Sequence, residues 1–378
     1  MSAESTPDPA AAGEPGTPAA RRGRGRRRKP RGKRPSGMKV MAWTAAGIVV
    51  LGGTGIGYVY FKLNGNISSV DIDQALGTDR PEKADNGSEN ILVLGSDTRS
   101  GSNKGIGGGT DDGTARSDTA MIVHIYEGHK KASVVSIPRD TLIERPECTD
   151  SEGNRHPGAR SAMFNSAYAT GGAACAVKTV EKMTDLRMDH YLEVDFAGFQ
   201  KLIDRLGGVE VTTSKDIKDP ESHLDLPAGT HRLDGEQALG LVRTRHGVGD
   251  GSDLGRIQLQ QAFLKALVKQ VREIGLFTNP KKLYDLADTA TKTVTTDSGL
   301  GSVNALMSFA GGMKGISPGN MQMVTMPVAY DPDNPNRVLL QKQKADLVWK
   351  ALKQDKPIPK AATEESATGE AKDVVSAP

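Results

Sequence analysis

Residues 241–261, LVRTRHGVGDGSDLGRIQLQQ, concentrate side chains able to hold a phosphate. Arg243 and Arg245 stand two apart in a run that reads as a strand, which would place both on one face. A loop rich in Gly and Asp follows. Ser252 and Asp253 are then candidate N-caps of a long amphipathic helix. Arg256 and Gln260, four apart near its first turn, share one side of that helix. A helix start favours anions, because its amides are unpaired and its macrodipole end is positive. A guanidinium adds a planar fork that matches phosphate oxygens. This pattern predicts a cradle for a pyrophosphate or phosphodiester. The alternative is a set of surface ion pairs, with Asp253 and Arg256 bridging within the helix.

Three shorter segments carry the same chemistry. GSDTR sets Asp97 and Arg99 just past an apolar strand; ARSDT sets Arg116 and Asp118 just before another; SIPRDT sets Arg139 and Asp140 just after a third. Strand ends are where a rigid scaffold presents loop side chains. Carboxylates among arginines suggest a hard cation shared between protein and phosphate oxygens, and magnesium commonly takes one or two carboxylates with waters and substrate phosphates. Asp97 and Asp118 are the candidate pair, against simple Asp–Arg ion pairs without a metal. Zinc is disfavoured, since the seven His lack ligand spacing. A GxSxG elbow is missing, and GIGGG near Gly107 lacks the Lys-Ser/Thr ending of a phosphate-binding loop.

The elements that must position these groups are mixed. Residues 90–94, 119–126 and 132–137 read as strands, the last stopped by Pro138. Residues 161–170 and 172–183 read as two helices broken at Gly171 and Gly172. After a strand at 190–194, Asp195 caps a helix with Phe196, Phe199, Leu202, Ile203 and Leu206 at three- and four-residue spacing. Residues 209–211 read as a strand. Helices are also expected around 283–292, 303–309 and 342–352, with a strand at 321–326. Strands and helices intermixed in this way predict a central mixed β-sheet flanked by helices, an α/β fold. This domain spans 87–355, behind a juxtamembrane linker at 62–86 and ahead of a disordered Ala/Glu/Thr-rich tail at 356–378.

Charge is distributed unevenly. The first 61 residues carry a balance of +8, and the remainder a balance of −5. Residues 1–37, ending in RRGRGRRRKPRGKR, have nothing to bury and read as a disordered arm. From Val40 to Phe61 there is no charge, enough length to cross a bilayer, so residues 38–61 read as a retained transmembrane helix. Trp43 near one end, with Tyr58 and Tyr60 near the other, matches the aromatic belts of such spans. The basic flank puts the N-terminus in the cytoplasm and the domain outside. Lying against a membrane, the arm has lipid headgroups as its nearer partner, and no specific nucleic acid is expected. Both cysteines, Cys148 and Cys175, fall in the external part. An oxidising compartment and an even count favour a disulfide, contributing about 3 kcal/mol by loop entropy; two buried thiols are the alternative.

The ordered series NILVLGSDTR, ARSDTAMIVHI, SVVSIPRDT, FNSAYATGG, VDFAGFQKLIDRLGGVEV and LVRTRHGVGDGSDLGRIQLQQ resembles the LytR-CpsA-Psr family over roughly residues 88–275, and more loosely to about 355. The resemblance implies a ligase that takes a glycopolymer from a polyprenyl-pyrophosphate carrier and joins it to a peptidoglycan hydroxyl through a phosphodiester, leaving polyprenyl phosphate. It implies magnesium on Asp97 and Asp118. Arg139, Arg243, Arg245 and Arg256 would clamp the pyrophosphate, with Arg99, Arg116, Asp253 and Gln260 beside them. Two positions depart from many relatives: Met163 stands where a Lys is common, and Leu259 where an Arg is common. Phosphoryl transfer needs positioning and charge neutralisation more than a covalent nucleophile. Asp253 and Asp118 are the candidate bases. Other readings are a hydrolase of lipid pyrophosphates, a glycopolymer-binding module without turnover, and a membrane-linked transcription attenuator.

Overall fold

The computed structural model describes residues 57–97, 117–249, 251–275 and 279–378. The basic arm and most of the expected membrane span lie outside them. Among the described residues no helix is long and apolar enough to cross a membrane.

In chain order come helix α1 (residues 57–66), strand β1 (Ser68–Val70), the single-turn α2 (Asp73–Leu76), and strands β2 (Glu89–Ser96), β3 (Ser117–Ile125) and β4 (Ala132–Ile137). Then follow β5 (Thr141–Arg145), the short β6 (Cys148–Thr149) and β7 (Arg155–His156), β8 (Ala159–Met163), α3 (Asn165–Thr184), β9 (His190–Asp195) and α4 (Phe196–Arg205). Strands β10 (Val209–Thr213), β11 (Ile217–Asp219), β12 (Leu224–Leu226) and β13 (Gly229–Leu233) precede α5 (Gly235–Arg243) and α6 (Asp253–Glu273). Last are α7 (Pro280–Thr293), β14 (Val294–Asp297), α8 (Val303–Gly312), β15 (Met321–Thr325), β16 (Val328–Tyr330), β17 (Val338–Leu340), α9 (Lys342–Lys353) and β18 (Val375–Ser376).

A seven-stranded sheet, in the order β1-β14-β9-β2-β3-β4-β15, is the frame. It is mixed, as expected: β2 runs parallel to β9 and antiparallel to β3. Every residue of β4, ASVVSI, is buried, which a strand covered on both faces requires. Alternation along β2 sorts the two sides. Leu92 and Leu94 face a core shared with Val177 and Val180 of α3 and Trp349 of α9. Ile91 and Val93 face a smaller core with Ile316 and Phe309. A third core joins α4, α5 and α6 to β10 through Ile203, Leu241, Phe263 and Val211.

Five expectations change. Residues 241–243 are the end of α5, not a strand. VRTR alternates over too few residues to define a period, whereas Asp234 and Gln237 form a reciprocal capping box that starts the helix upstream. Residues 161–163 belong to β8. The break between two helices at Gly171 and Gly172 becomes a kink inside α3. A Cβ on Gly171 would lie 2.3 Å from the Cys175 sulfur, so the bridge packs where that side chain would be. The segment 62–86 is woven into the domain rather than leading away from it: β1 pairs with β14, and Ile72 and Leu76 join the main core. Arg80, 5% exposed, pairs with Glu181 at 2.7 Å. Finally, residues 356–378 are not a free tail. Ile358 and Ala362 reach the main core, and β18 adds an edge to β10.

Cys148 and Cys175 are bridged, with Cα atoms 5.3 Å apart. This fastens the β6–β7 excursion to α3.

Candidate functional site

One end of the central sheet gathers the charged residues. β2 ends at Ser96 and delivers Asp97; its partner β3 begins at Ser117. The register shifts here, with Gly95 opposite Thr119 and Ser96 opposite Ser117, leaving Asp118 as the extra residue of a bulge. A bulge re-aims a side chain at a strand end. Asp97 and Asp118 thus leave adjacent strands at the same edge.

Arg139 follows β4 and Pro138. The turn is fixed because Thr141 donates both its amide and its hydroxyl to the Pro138 carbonyl, at 3.1 and 2.7 Å. The Arg139 guanidinium pairs with Asp118 and has Asp140 at 3.5 Å and Asp253 at 3.8 Å. Ser252 caps α6 through Gly255, which leaves the Asp253 carboxylate free for other work. One of its oxygens accepts the Arg139 backbone amide at 3.2 Å and the other accepts from Arg256. Arg256, 5% exposed, also donates to the Asp118 carbonyl at 2.9 Å. Gln260, one turn on, donates to Thr119 Oγ1 at 3.0 Å and to the Val242 carbonyl at 2.9 Å. α6 therefore ties β3, the β4 turn and the end of α5 together through a single face.

Arg243 ends α5 with its guanidinium 4.8 Å from the Phe196 ring centre, a cation–π contact. Arg245 lies in the loop beyond. Its amide is held by Asp219 at 3.0 Å, and the buried Thr244 hydroxyl donates to the same carboxylate. Burial raises the Asp219 carboxyl, but these hydrogen bonds outweigh it and bring the pKa down to about 2. Asp219 is thus an ionised hook that fixes the loop carrying Arg245. Sequence reading missed it, and its contact with Thr244 crosses 25 residues.

The electrostatics are those of closely packed opposite charges. Burial pushes the Asp118 carboxyl up, but Arg139, Arg256 and Arg245 together hold it below its usual range. Burial lowers Arg245, and the neighbouring Arg256 and Arg139 lower it further; a guanidinium still remains charged. Among the described residues Arg245 has no ion-pair partner, while Asp253 and Asp118 are engaged by Arg139 and Arg256. The Nε atoms of Arg139 and Arg256 are buried without a hydrogen-bond acceptor. A multiply charged anion would satisfy this set.

Asp118, Arg139, Arg245, Asp253, Arg256 and Gln260 come together; Arg243 is held beside them on Phe196. Arg99 and Arg116 lie outside the described residues. Asp140 and Arg337, 3.9 Å apart, extend the charged layer beyond the candidates chosen from sequence. The two departures separate. Met163 ends β8 opposite Leu142, whereas Leu259, 1% exposed, sits in the core of α4, α5 and α6 and takes no part in the charged layer.

A mixed sheet with helices on both faces and a cluster of arginines and aspartates at one end defines the class. The chain belongs to the LytR_cpsA_psr family, whose model matches residues 59–354. It is 33% identical over 310 residues to the cell wall biosynthesis protein LcpA of Corynebacterium glutamicum, covering 74% of this chain and 58% of that one. It is 31% identical over 343 residues to the polyisoprenyl-teichoic acid–peptidoglycan teichoic acid transferase TagT of Bacillus subtilis, covering 88% of this chain and 98% of TagT. A solved TagT structure, described as bound to LI-WTA, superposes with a TM-score of 0.53 at 26% identity, over 74% of this chain and 96% of that one. A LytR-Csp2A-Psr enzyme from Actinomyces oris shares the fold with a TM-score of 0.58 at 23% identity, over 76% and 96%.

Proposed function

We propose that this protein is a membrane-anchored phosphotransferase that moves a glycopolymer from a polyprenyl-pyrophosphate carrier to a hydroxyl of peptidoglycan. The observation that carries this reading is Arg245, without a direct ion pair among the described residues, beside Arg139 and Arg256, whose own carboxylate partners are already shared. The likeness to TagT supports a lipid-linked polymer as donor and peptidoglycan as acceptor.

The residues divide the work. Arg245 and Arg139 bind the two phosphates, Arg256 holds Asp253 and the Asp118 carbonyl behind them, and Arg243 braces them from the end of α5. Asp253 holds two of these arginines in register, with both oxygens occupied. Asp97 and Asp118 would hold magnesium: Asp118 is kept ionised, as a metal ligand must be. No group of three or more His, Cys, Asp or Glu among the described residues is arranged for an ion, so phosphate oxygens and water would complete the shell. Bound there, the cation would neutralise charge building on the leaving phosphate. The acceptor hydroxyl oxygen attacks the sugar-side phosphorus while the bridging P–O bond breaks. The hydroxyl proton leaves with the released polyprenyl phosphate or to water. Preorganised guanidinium groups aimed at the developing charge supply the electrostatic part of the acceleration.

The test combines the full-length protein with a polyprenyl-pyrophosphate saccharide, peptidoglycan and magnesium. A phosphodiester-linked product plus polyprenyl phosphate is expected, and chelation of the metal should stop it. Equal consumption of donor without peptidoglycan would make the protein a hydrolase. Binding without any turnover would make it a carrier module.

A further inference from the structure

The approach to the membrane is built differently from a flexible tether. Lys62 of α1 donates to the Tyr284 hydroxyl at 2.9 Å and pairs with Asp288 at 3.4 Å. Asn66, one turn later, donates to the same Asp288 at 3.3 Å. Advancing along α1 therefore means advancing along α7, so the two helices run parallel. Each leads directly into a strand: α1 into β1 after one residue, and α7 into β14. Those strands pair in parallel, Ser68 with Thr295 through Val70 with Asp297. The Val303 amide of α8 adds a hold on Asn64 at 3.3 Å.

This geometry fixes a direction. The uncharged run from Val40 enters the domain at the start of α1. Because the helices are parallel, the start of α7 lies at the same end of the domain as residue 57, the first described residue of α1. The exposed residues there suit a bilayer interface. Tyr58 and Phe61 are 68% and 76% exposed, and Tyr60 is also exposed. At the same level Pro280, Lys281 and Lys282 are exposed. Lys281 is 84% exposed, and its only anchor is an i,i+4 pair with Asp285. Aromatic rings with lysines beside them are the side chains that settle at the headgroup layer.

We propose that the N-terminal end of α7 rests on an anionic bilayer surface, with Lys281 and Lys282 against lipid headgroups and Tyr58, Tyr60 and Phe61 in the interface. The paired α1–β1 and α7–β14 units then hold the central sheet at a set tilt, which fixes where its clamp stands relative to the lipid carrier. The proposal rests on the reading of residues 38–61 as a membrane span.

The test uses full-length protein in vesicles of phosphatidylcholine, alone or mixed with phosphatidylglycerol, carrying a headgroup-attached quencher. The native cysteines are paired, so Lys281→Cys and Lys292→Cys each give one labelling site for a fluorophore. The two sites lie about 16 Å apart along the helix axis at about 1.5 Å per residue. Quenching should be stronger at position 281 than at 292 over that distance. Lys282→Glu or removal of phosphatidylglycerol should weaken it. Equal quenching at both positions in protein that resists alkaline extraction would overturn the docked pose while leaving the span intact. Unequal quenching that ignores lipid charge would overturn the headgroup contact. Release of the protein by alkali would remove the span itself, and the proposal with it.

Discussion

Replacing Arg245 by Ala separates binding from stability, because this cation has repulsive neighbours and, among the described residues, no direct ion pair. Its charge is pressed by burial, then by Arg256 and Arg139. Removing it relieves that repulsion and loses some packing of the aliphatic stem, so folding stability should change by about 0 to +1 kcal/mol. Arg256→Ala is the contrast. That side chain is 5% exposed and holds both Asp253 and the Asp118 carbonyl. Breaking a buried pair from one side costs about 3–5 kcal/mol. In a domain of this size that is a fall of roughly 6–10 °C in Tm. Inorganic pyrophosphate provides the binding readout. At a concentration of about 100 Kd it should stabilise the unaltered protein by about 2.7 kcal/mol. Losing a charge-assisted hydrogen bond, worth about 1.5–3 kcal/mol, weakens binding roughly tenfold to a hundredfold. The same ligand concentration would then stabilise the Arg245→Ala protein by only about 0.4–1.4 kcal/mol. Thermal denaturation of the full-length chain with and without pyrophosphate measures both effects. The reasoning fails if Arg245→Ala costs as much stability as Arg256→Ala, or if its pyrophosphate shift is undiminished.

Three further outcomes are expected. Burial pushes the His190 imidazole down, but the hydrogen bond and charge of Asp297, 3.3 Å away, more than reverse this and raise its pKa. The pair's stabilisation should therefore be complete below about pH 6.5 and decay as pH rises through the folded value. His190→Asn should flatten that part of the Tm–pH curve, and a slope that survives would exclude this pair as its source. Replacing both Cys148 and Cys175 by Ser should lower stability by about 3 kcal/mol, read from denaturant unfolding. Arg80→Ala should cost about 3–5 kcal/mol by leaving Glu181, 3% exposed, buried without its counter-charge and held by the Met188 amide; a change under about 1 kcal/mol would mean that residues 62–86 are the loose linker their sequence suggests.

What the sequence disclosed depended on how local each cause was. β4 reads as a covered strand because six adjacent residues say so, and α4 reads as a helix because Asp195 caps it three residues from its partner amide. The clamp was legible as chemistry for a similar reason: arginines and aspartates beside strand ends keep their meaning without a partner in view. Their roles were less legible. Asp253 reads equally as a cap, a base or an ion-pair partner, and only the placement of Ser252 as cap and of Arg139 across the site assigns its oxygens. Asp219 and Arg80 were passed over because each acts on a group far along the chain. The same limit made residues 62–86 and 356–378 look unstructured. Their local composition is weak, and β1 and β18 exist only because β14 and β10 offer them open edges. An edge strand takes its order from its partner, so its own residues need little β-propensity. The local misreading of a strand at 241–245 has the opposite origin. A two-residue alternation of Val and Arg was legible, but the capping box six residues upstream had already committed the backbone to helix, and a helix once nucleated extends at little cost. The arginines kept their place beside the aspartates through that change, because α5 ends at Arg243 and the Asp219 hook, rather than strand pleating, presents Arg245.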